Sequence, residues 1–245
     1  MSGHSKWATI KRKKAVTDGR RGRMFTRLIK EITISARIGG GDPAGNPRLR
    51  LAIDNAKVLN MPSENIERAI KKATGELEGV TYSELLYEAY APAGIAIIIE
   101  IATDNKNRTA AEMRHVFSKN GGSMAESGSV LWMFDRKGII TLQSEGKSED
   151  DMMEVLLEIG ADDLQTEEDM FIIQTSVENF ETVRKELVAQ NFKVDNASLQ
   201  WVPKNLVAVT GEDAQKVAKV IDVLEDNDDV QNVYHNGDID PSALV

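Results

Sequence analysis

Cysteine is absent from this chain of 245 residues. That removes disulfides, thiolate catalysis, iron–sulfur ligation and cysteine-based zinc sites together, and it fits a reducing compartment. Long apolar runs are missing too. The longest, Gly94–Ile99, is far short of the ~20 residues that span a bilayer as a helix. No apolar stretch follows the basic start, so no secretory signal is legible. Histidine is scarce: His4, His115 and His235 are isolated, and none forms a ligand pair at i, i+3 or i, i+4. No nucleophile–base frame and no cofactor motif stands out, so neither a metal, a cofactor nor an enzymatic activity is expected.

Acid is what the first thirty residues lack. Asp18 is their single acidic side chain. Met1 to Glu78 holds 17 Lys+Arg against 8 Asp+Glu, a net of +9, and the remaining 167 residues carry 13 basic and 31 acidic groups, a net of −18. The overall −9 therefore conceals a concentrated cationic head. Such asymmetry points to one end that faces a polyanion and another that stays soluble and does something else. The alternative is a solvated basic helix without a partner.

An apolar content of 41% with 28% charged residues is ordinary for globular protein, and the length suits one large or two to three small domains. Asp18 is a suitable N-cap for a helix running to about Ile38. Phe25, Leu28, Ile29, Ile32 and Ala36 recur on one face, with Arg20, Arg23, Arg27 and Lys30 on the other. Gly39–Gly41 stops it. Asn46–Pro47 is a cap followed by proline at the first helical position, and Pro62 and Gly75 bracket a third helix. Residues 1–78 thus read as a small basic helical domain.

Beyond Gly79 the period changes. Strands are expected at Leu85–Ala91, Ile95–Ala102 and Ser129–Phe134, with a helix carrying Ala111, Met113, Val116 and Phe117 before the last of them. Strand Gly138–Leu142, helix Glu149–Ile159, strands Asp163–Gln165 and Met170–Gln174, helix Val177–Gln190 and strand Ala197–Val202 follow. That order is β-α-β-β-α-β, the ferredoxin-like pattern. Leu206–Val209, a helix at Asp213–Leu224 and Val230–Tyr234 complete the chain. The fold class is therefore α+β: an N-terminal helical domain, then two ferredoxin-like α/β modules. The inner one (135–204) is inserted into the outer one (79–134 plus 205–245), because neither outer half alone has enough sheet to bury its helix. A linear string of three domains is the competing layout.

The opening GHSKWATIK followed by DGRRGRMFTRLIKEI resembles the YebC-type family, which includes bacterial "probable transcriptional regulatory proteins" and the mitochondrial translational activator of cytochrome c oxidase. NPRLRLAI, MPSENIERAIKKATGELEG, YEAYAPAGIAIIIE, TDNKNRTAAEMRHVFSKNGG and GSVLWMF resemble it as well. The likeness runs over nearly the whole chain and is strongest through Phe134. It implies the same architecture and a gene-regulatory, nucleic-acid-binding role, on DNA at promoters or on RNA at the ribosome. Arg12 stands where histidine is usual and keeps a cation there. The family's motif begins at Ser2–Gly3, which leads us to expect a cytoplasmic protein of bacterial type with no presequence.

The cationic head carries the strongest chemistry, since Lys and Arg at a surface supply phosphate contacts. Lys11, Arg12, Lys13 and Lys14 are consecutive and would encircle a helix, which favours an arm that orders on its target. Lys6 joins them. Trp7 could stack on a base or pin the arm to the helices. The expected interface is Lys6, Trp7, Lys11, Arg12, Lys13, Lys14, Arg20, Arg21, Arg23, Arg27 and Lys30. In Thr103–Thr109 the composition is that of an N-cap, and Lys106, Asn107 and Arg108 add a possible secondary phosphate contact. The acidic group Glu225, Asp226, Asp228 and Asp229 reads as a solvated helix end. Three functions compete: a DNA-binding transcriptional regulator, a ribosome- or RNA-associated translation factor that relieves stalled synthesis, and an enzyme using the cleft between the α/β modules. The missing cofactor motifs weigh against the third. No membrane partner is expected.

Overall fold

Helix α1 (Asp18–Gly39), α2 (Pro47–Val58) and α3 (Ser63–Thr74) open the computed structural model, which describes residues 18–167 and 169–239. Their apolar spacing closes a small core. Ile32 and Ala36 of α1 are buried with Leu49, Ala52, Ile53 and Ala56 of α2 and with Ile66, Ala69 and Ala73 of α3, while Phe25, Leu28 and Ile29 pack at its margin. Asn46 caps α2 by accepting from Leu49 N (3.1 Å), and its Nδ2 donates to Ser35 O (2.8 Å) and Gly40 O (2.9 Å). One buried amide thus serves the start of one helix and the free carbonyls at the end of another. A Cβ on Gly39 would lie 2.6 Å from Asn46 Nδ2, so only glycine lets that side chain cross.

The chain forms two compact units, one running to Phe134 and resuming at Pro203, the other spanning Asp135–Val202. In the first unit the helices lead into β1 (Ser83–Tyr90), β2 (Ala96–Thr103), α4 (Lys106–Lys119) and the two-residue strand β3 (Ser123–Met124). β2 reads AIIIEIAT and is buried on both faces, as a run without apolar–polar alternation requires.

Ser129–Phe134 corrects the sequence expectation. It is a turn leading into a short 3-10 segment, Leu131–Met133, and not a strand. Its amides are taken by the buried carboxylate of Glu88, which accepts from Gly128 N (2.6 Å), Val130 N (2.6 Å) and Leu131 N (2.8 Å). Donors already satisfied by a side chain have no use for a neighbouring strand. Burial alone would raise the Glu88 carboxyl pKa, but the three amide bonds hold it below its ordinary value.

The second unit holds β4 (Phe134–Gln143, its first residue on the boundary), α5 (Glu149–Ile159), β5 (Asp163–Glu167), β6 (Met170–Thr175), α6 (Phe180–Ala189) and β7 (Val194–Pro203). The sheet order is β5-β6-β4-β7, with β6 antiparallel to both neighbours. Each helix-joined strand pair is therefore split by a strand of the other pair, the connectivity expected from the element order. Ser148 and Asp151 form a reciprocal capping box at α5 and Gly160 ends it with φ +82. α6 begins at Phe180, three residues later than its apolar spacing suggests. The intervening turn is closed by Asn179 N donating to Ser176 Oγ at 3.1 Å.

On its return the chain adds β8 (Val207–Val209), α7 (Gly211–Asp226), β9 (Val230–His235) and β10 (Gly237–Ile239). The first unit's main sheet has the order β3-β1-β2-β9, so β1 lies between β2 and the short β3. β8 pairs instead with β10, in parallel, as a separate two-stranded sheet. Ile97, Ile99 and Ile101 of β2 pack with Met113 and Phe117 of α4 and with Val217, Ile221 and Leu224 of α7 in one core.

Candidate nucleic-acid interface

The cationic face of α1 meets the acidic end of α7. Arg23 pairs with Asp226 at 2.9 Å, and Arg27 donates to the Glu225 carbonyl at 2.5 Å. Lys30 is buried, and its ammonium has three acceptors: Ala102 O (3.0 Å), Asp228 O (2.8 Å) and Asp229 Oδ1 (3.0 Å). The last carbonyls of a helix are unsatisfied and carry partial negative charge, which cations relieve. Arg27, Lys30 and, in part, Arg23 therefore face their own chain. The acidic end of α7, read as solvated, is their partner. Burial lowers the pKa of Arg27.

Asp229 is the centre of this junction. Its Oδ2 accepts from Arg108 (2.7 Å), Thr109 Oγ1 (2.7 Å) and Thr103 Oγ1 (3.0 Å), while Oδ1 holds Lys30. Burial would raise this carboxyl, but the bonds from Arg108, Thr109, Lys30 and Thr103 bring it down to about 2. The polar Thr103–Thr109 segment is thereby explained. Asn105 caps α4 by accepting from Arg108 N (3.1 Å), while Thr103, Arg108 and Thr109 hold the carboxylate. Arg108 also pairs with Asp104 at 2.9 Å, and these two carboxylates, Asp229 foremost, raise its pKa. Of the proposed secondary contact, Arg108 is committed within the chain; Lys106 and Asn107 are exposed at the start of α4.

Other cations of the head are similarly engaged. Arg48 bridges Glu31 (2.7 Å) and Glu84 (2.5 Å), Arg37 donates to Thr81, and Arg50 donates to the carbonyls of Pro43 and Ala44. Burial opposes the charge on Arg48, but its two carboxylate partners raise its pKa. The backbone of Arg20 and Arg21 belongs to α1. Their side chains, with the whole of Lys6, Trp7, Lys11, Arg12, Lys13 and Lys14, lie outside the described residues. The side chains of Lys57, Arg68, Lys71 and Lys72 make no hydrogen bond or ion pair among the described residues. Acids (Asp54, Glu64, Glu67) are interspersed with these four along the chain, and only the fold shows which cations find internal partners.

Two family profiles match the chain: "TACO1/YebC protein N-terminal domain" over residues 5–76 and "TACO1/YebC second and third domain" over residues 82–237. Curated relatives named "Probable transcriptional regulatory protein" from Chloroherpeton thalassium and Pelodictyon phaeoclathratiforme are each 58% identical over 245 residues, covering 100% of this chain and 98% of theirs. The crystal structure of a conserved hypothetical protein from Aquifex aeolicus superposes with a TM-score of 0.84 at 46% identity, covering 90% of this chain and 91% of that one.

Proposed function

We propose that this chain, which belongs to the TACO1/YebC family, is a non-enzymatic regulator of gene expression that binds nucleic acid through its N-terminal basic domain. The observation that carries this reading is the charge division: +9 over residues 1–78 against −18 over the rest. A polyanion is attracted by the first and repelled by the second, so the head leads the approach. Because Arg27 and Lys30 are consumed internally, the phosphate contacts fall to Lys6, Lys11, Arg12, Lys13, Lys14, Arg20 and Arg21, with Trp7 as a stacking group and Lys106 and Asn107 as a secondary contact. The names of the relatives support transcriptional regulation on DNA as the leading form of this activity. No helix among the described residues is long and apolar enough to cross a membrane, and a cytoplasmic site of action belongs to the same reading.

The same charge division favours a second reading. A ribosome offers RNA and basic protein side by side, which suits both ends of this chain, whereas naked promoter DNA suits only the head. Replacing Lys11, Arg12, Lys13 and Lys14 together by Ala tests the shared premise. The slope of log K against log[salt] is expected to flatten by roughly 3–4 units on duplex DNA if about four phosphate contacts are lost. An unchanged slope removes the arm from the interface. Gradient sedimentation then separates the readings. Protein that travels with ribosomes at low salt and leaves as salt rises is a translation factor; protein that stays at the top yet protects a defined promoter segment is a transcriptional one.

A further inference from the structure

Two of the cations without internal partners, Arg68 and Lys72, lie together. Asn65, Arg68 and Lys72 of α3 are spaced three and four residues apart, which places them on one face of the helix. That face lines a cleft of about 230 Å³, together with Ile29 and Thr33 of α1 and with Val80 and Tyr82 from the segment leading into β1. Arg68, Lys72, the Asn65 carboxamide and the Tyr82 hydroxyl have no hydrogen-bond partner among the described residues. The chain passes tightly over Lys72: a Cβ on Gly79 would lie 2.8 Å from the Lys72 Cβ. The stem of that lysine is thus pinned while its ammonium stays available. On one side the Tyr82 ring is met by Lys30 Nζ, 5.2 Å from the centroid.

The cleft combines two cations, one amide, one phenol, the Thr33 hydroxyl (which donates to Ile29 O at 2.7 Å) and apolar walls. That set matches a phosphodiester with its attached nucleoside: cations for the phosphate oxygens, the amide for a base edge or ribose hydroxyl, the apolar wall for the ring. At about 230 Å³ it falls below the ~300–1,000 Å³ of clefts that engulf a whole free ligand. It suits one protruding unit of a polymer. Duplex DNA keeps its bases stacked inside a convex cylinder and has no nucleoside to insert, whereas single-stranded segments splay theirs out. We propose that the cleft between α1 and α3 seats one unstacked nucleotide of a single strand, its phosphate on Arg68 and Lys72 and its nucleoside against Val80 and Tyr82. This rests on the nucleic-acid reading above and narrows it to single-stranded nucleic acid at this site.

The test uses the full chain and two charge-matched variants, Arg68→Ala/Lys72→Ala in the cleft and Lys57→Ala/Lys71→Ala outside it. Affinity for a short labelled single-stranded RNA and for a duplex DNA is read by fluorescence anisotropy across a salt series. The cleft variant should lose roughly tenfold in affinity for the single strand, with the salt slope flatter by about 1.4 units for two phosphates. It should lose little on the duplex, and the control variant should lose little on either. Excess nucleoside monophosphate at matched ionic strength should not displace the strand; displacement would assign the cleft to free nucleotides and overturn the proposal. Equal losses in both variants, or on both nucleic acids, would reduce the effect to bulk charge and overturn it too. If the arm variant loses binding and the cleft variant does not, this inference falls and the broader function stands. If the unmodified chain binds neither nucleic acid, both fall. All four substitutions place Ala, the best helix former, in helices, so unchanged thermal unfolding confirms that the fold is intact.

Discussion

Replacing Asp229 by Ala removes the acceptor around which Lys30, Thr103, Arg108 and Thr109 are arranged. Lys30 would keep the carbonyls of Ala102 and Asp228, but its ammonium, with the side chain only 7% exposed, would have no counter-charge. Removing one partner of a buried pair typically costs about 3–5 kcal/mol, because the remaining charge stays desolvated. An independent figure comes from protonation. The carboxyl is held at about 2 against an ordinary 3.8, which corresponds to about 2 kcal/mol of stability. A depressed carboxyl contributes above its unfolded pKa and loses that contribution as pH falls through the folded value. The gap between the native chain and Asp229→Ala should therefore be full above about pH 4 and should narrow by about 2 kcal/mol as pH approaches 2. Lys30→Met should cost less than Asp229→Ala, since Asp229 would keep Arg108 and two hydroxyls. The double variant should be more stable than the sum of the singles predicts. Urea denaturation supplies the energies, and hydrogen exchange at residues 95–109 and 226–239 localises them to this junction. A cost below about 1 kcal/mol for Asp229→Ala, or strict additivity with Lys30→Met, would refute the idea that the junction is a coupled, desolvated network.

Two more outcomes are expected. Glu88→Ala leaves the amides of Gly128, Val130 and Leu131 without their acceptor, which should cost about 3 kcal/mol and speed hydrogen exchange at those amides. In the native chain acidification should do the same, because the depressed Glu88 carboxyl stabilises the fold above its unfolded pKa and ceases to as pH falls through its folded value; exchange that ignores both changes would free the turn from Glu88. Replacing Asp135–Val202, a compact unit, by a short Gly/Ser linker should leave a cooperatively unfolding protein, seen by calorimetry; an aggregated or molten product would show that the first unit needs it.

What the sequence determined is whatever depends on near neighbours. The three N-terminal helices and their core residues follow from apolar spacing, and their ends from Asn46–Pro47 and Gly75, since caps and stops act within one turn. The β-α-β-β-α-β order of the second unit was legible for the same reason. The tertiary structure decided what depends on remote partners. Ser129–Phe134 has strand composition, yet Glu88, some 40 residues away in sequence, takes its amides. β3 and β10 are two and three residues long and exist only because a neighbouring strand receives them. Above all, a lysine in a sequence carries its charge but not its counter-charge. Arg23, Arg27 and Lys30 read as part of a phosphate-binding face, and the acidic end of α7, about 200 residues on, is bonded to them. Arg68 and Lys72, diluted by glutamates along the chain, are among those left without an internal partner among the described residues. Local periodicity tells which way a side chain points along its helix; whether a partner waits there is settled only when distant segments fold against it.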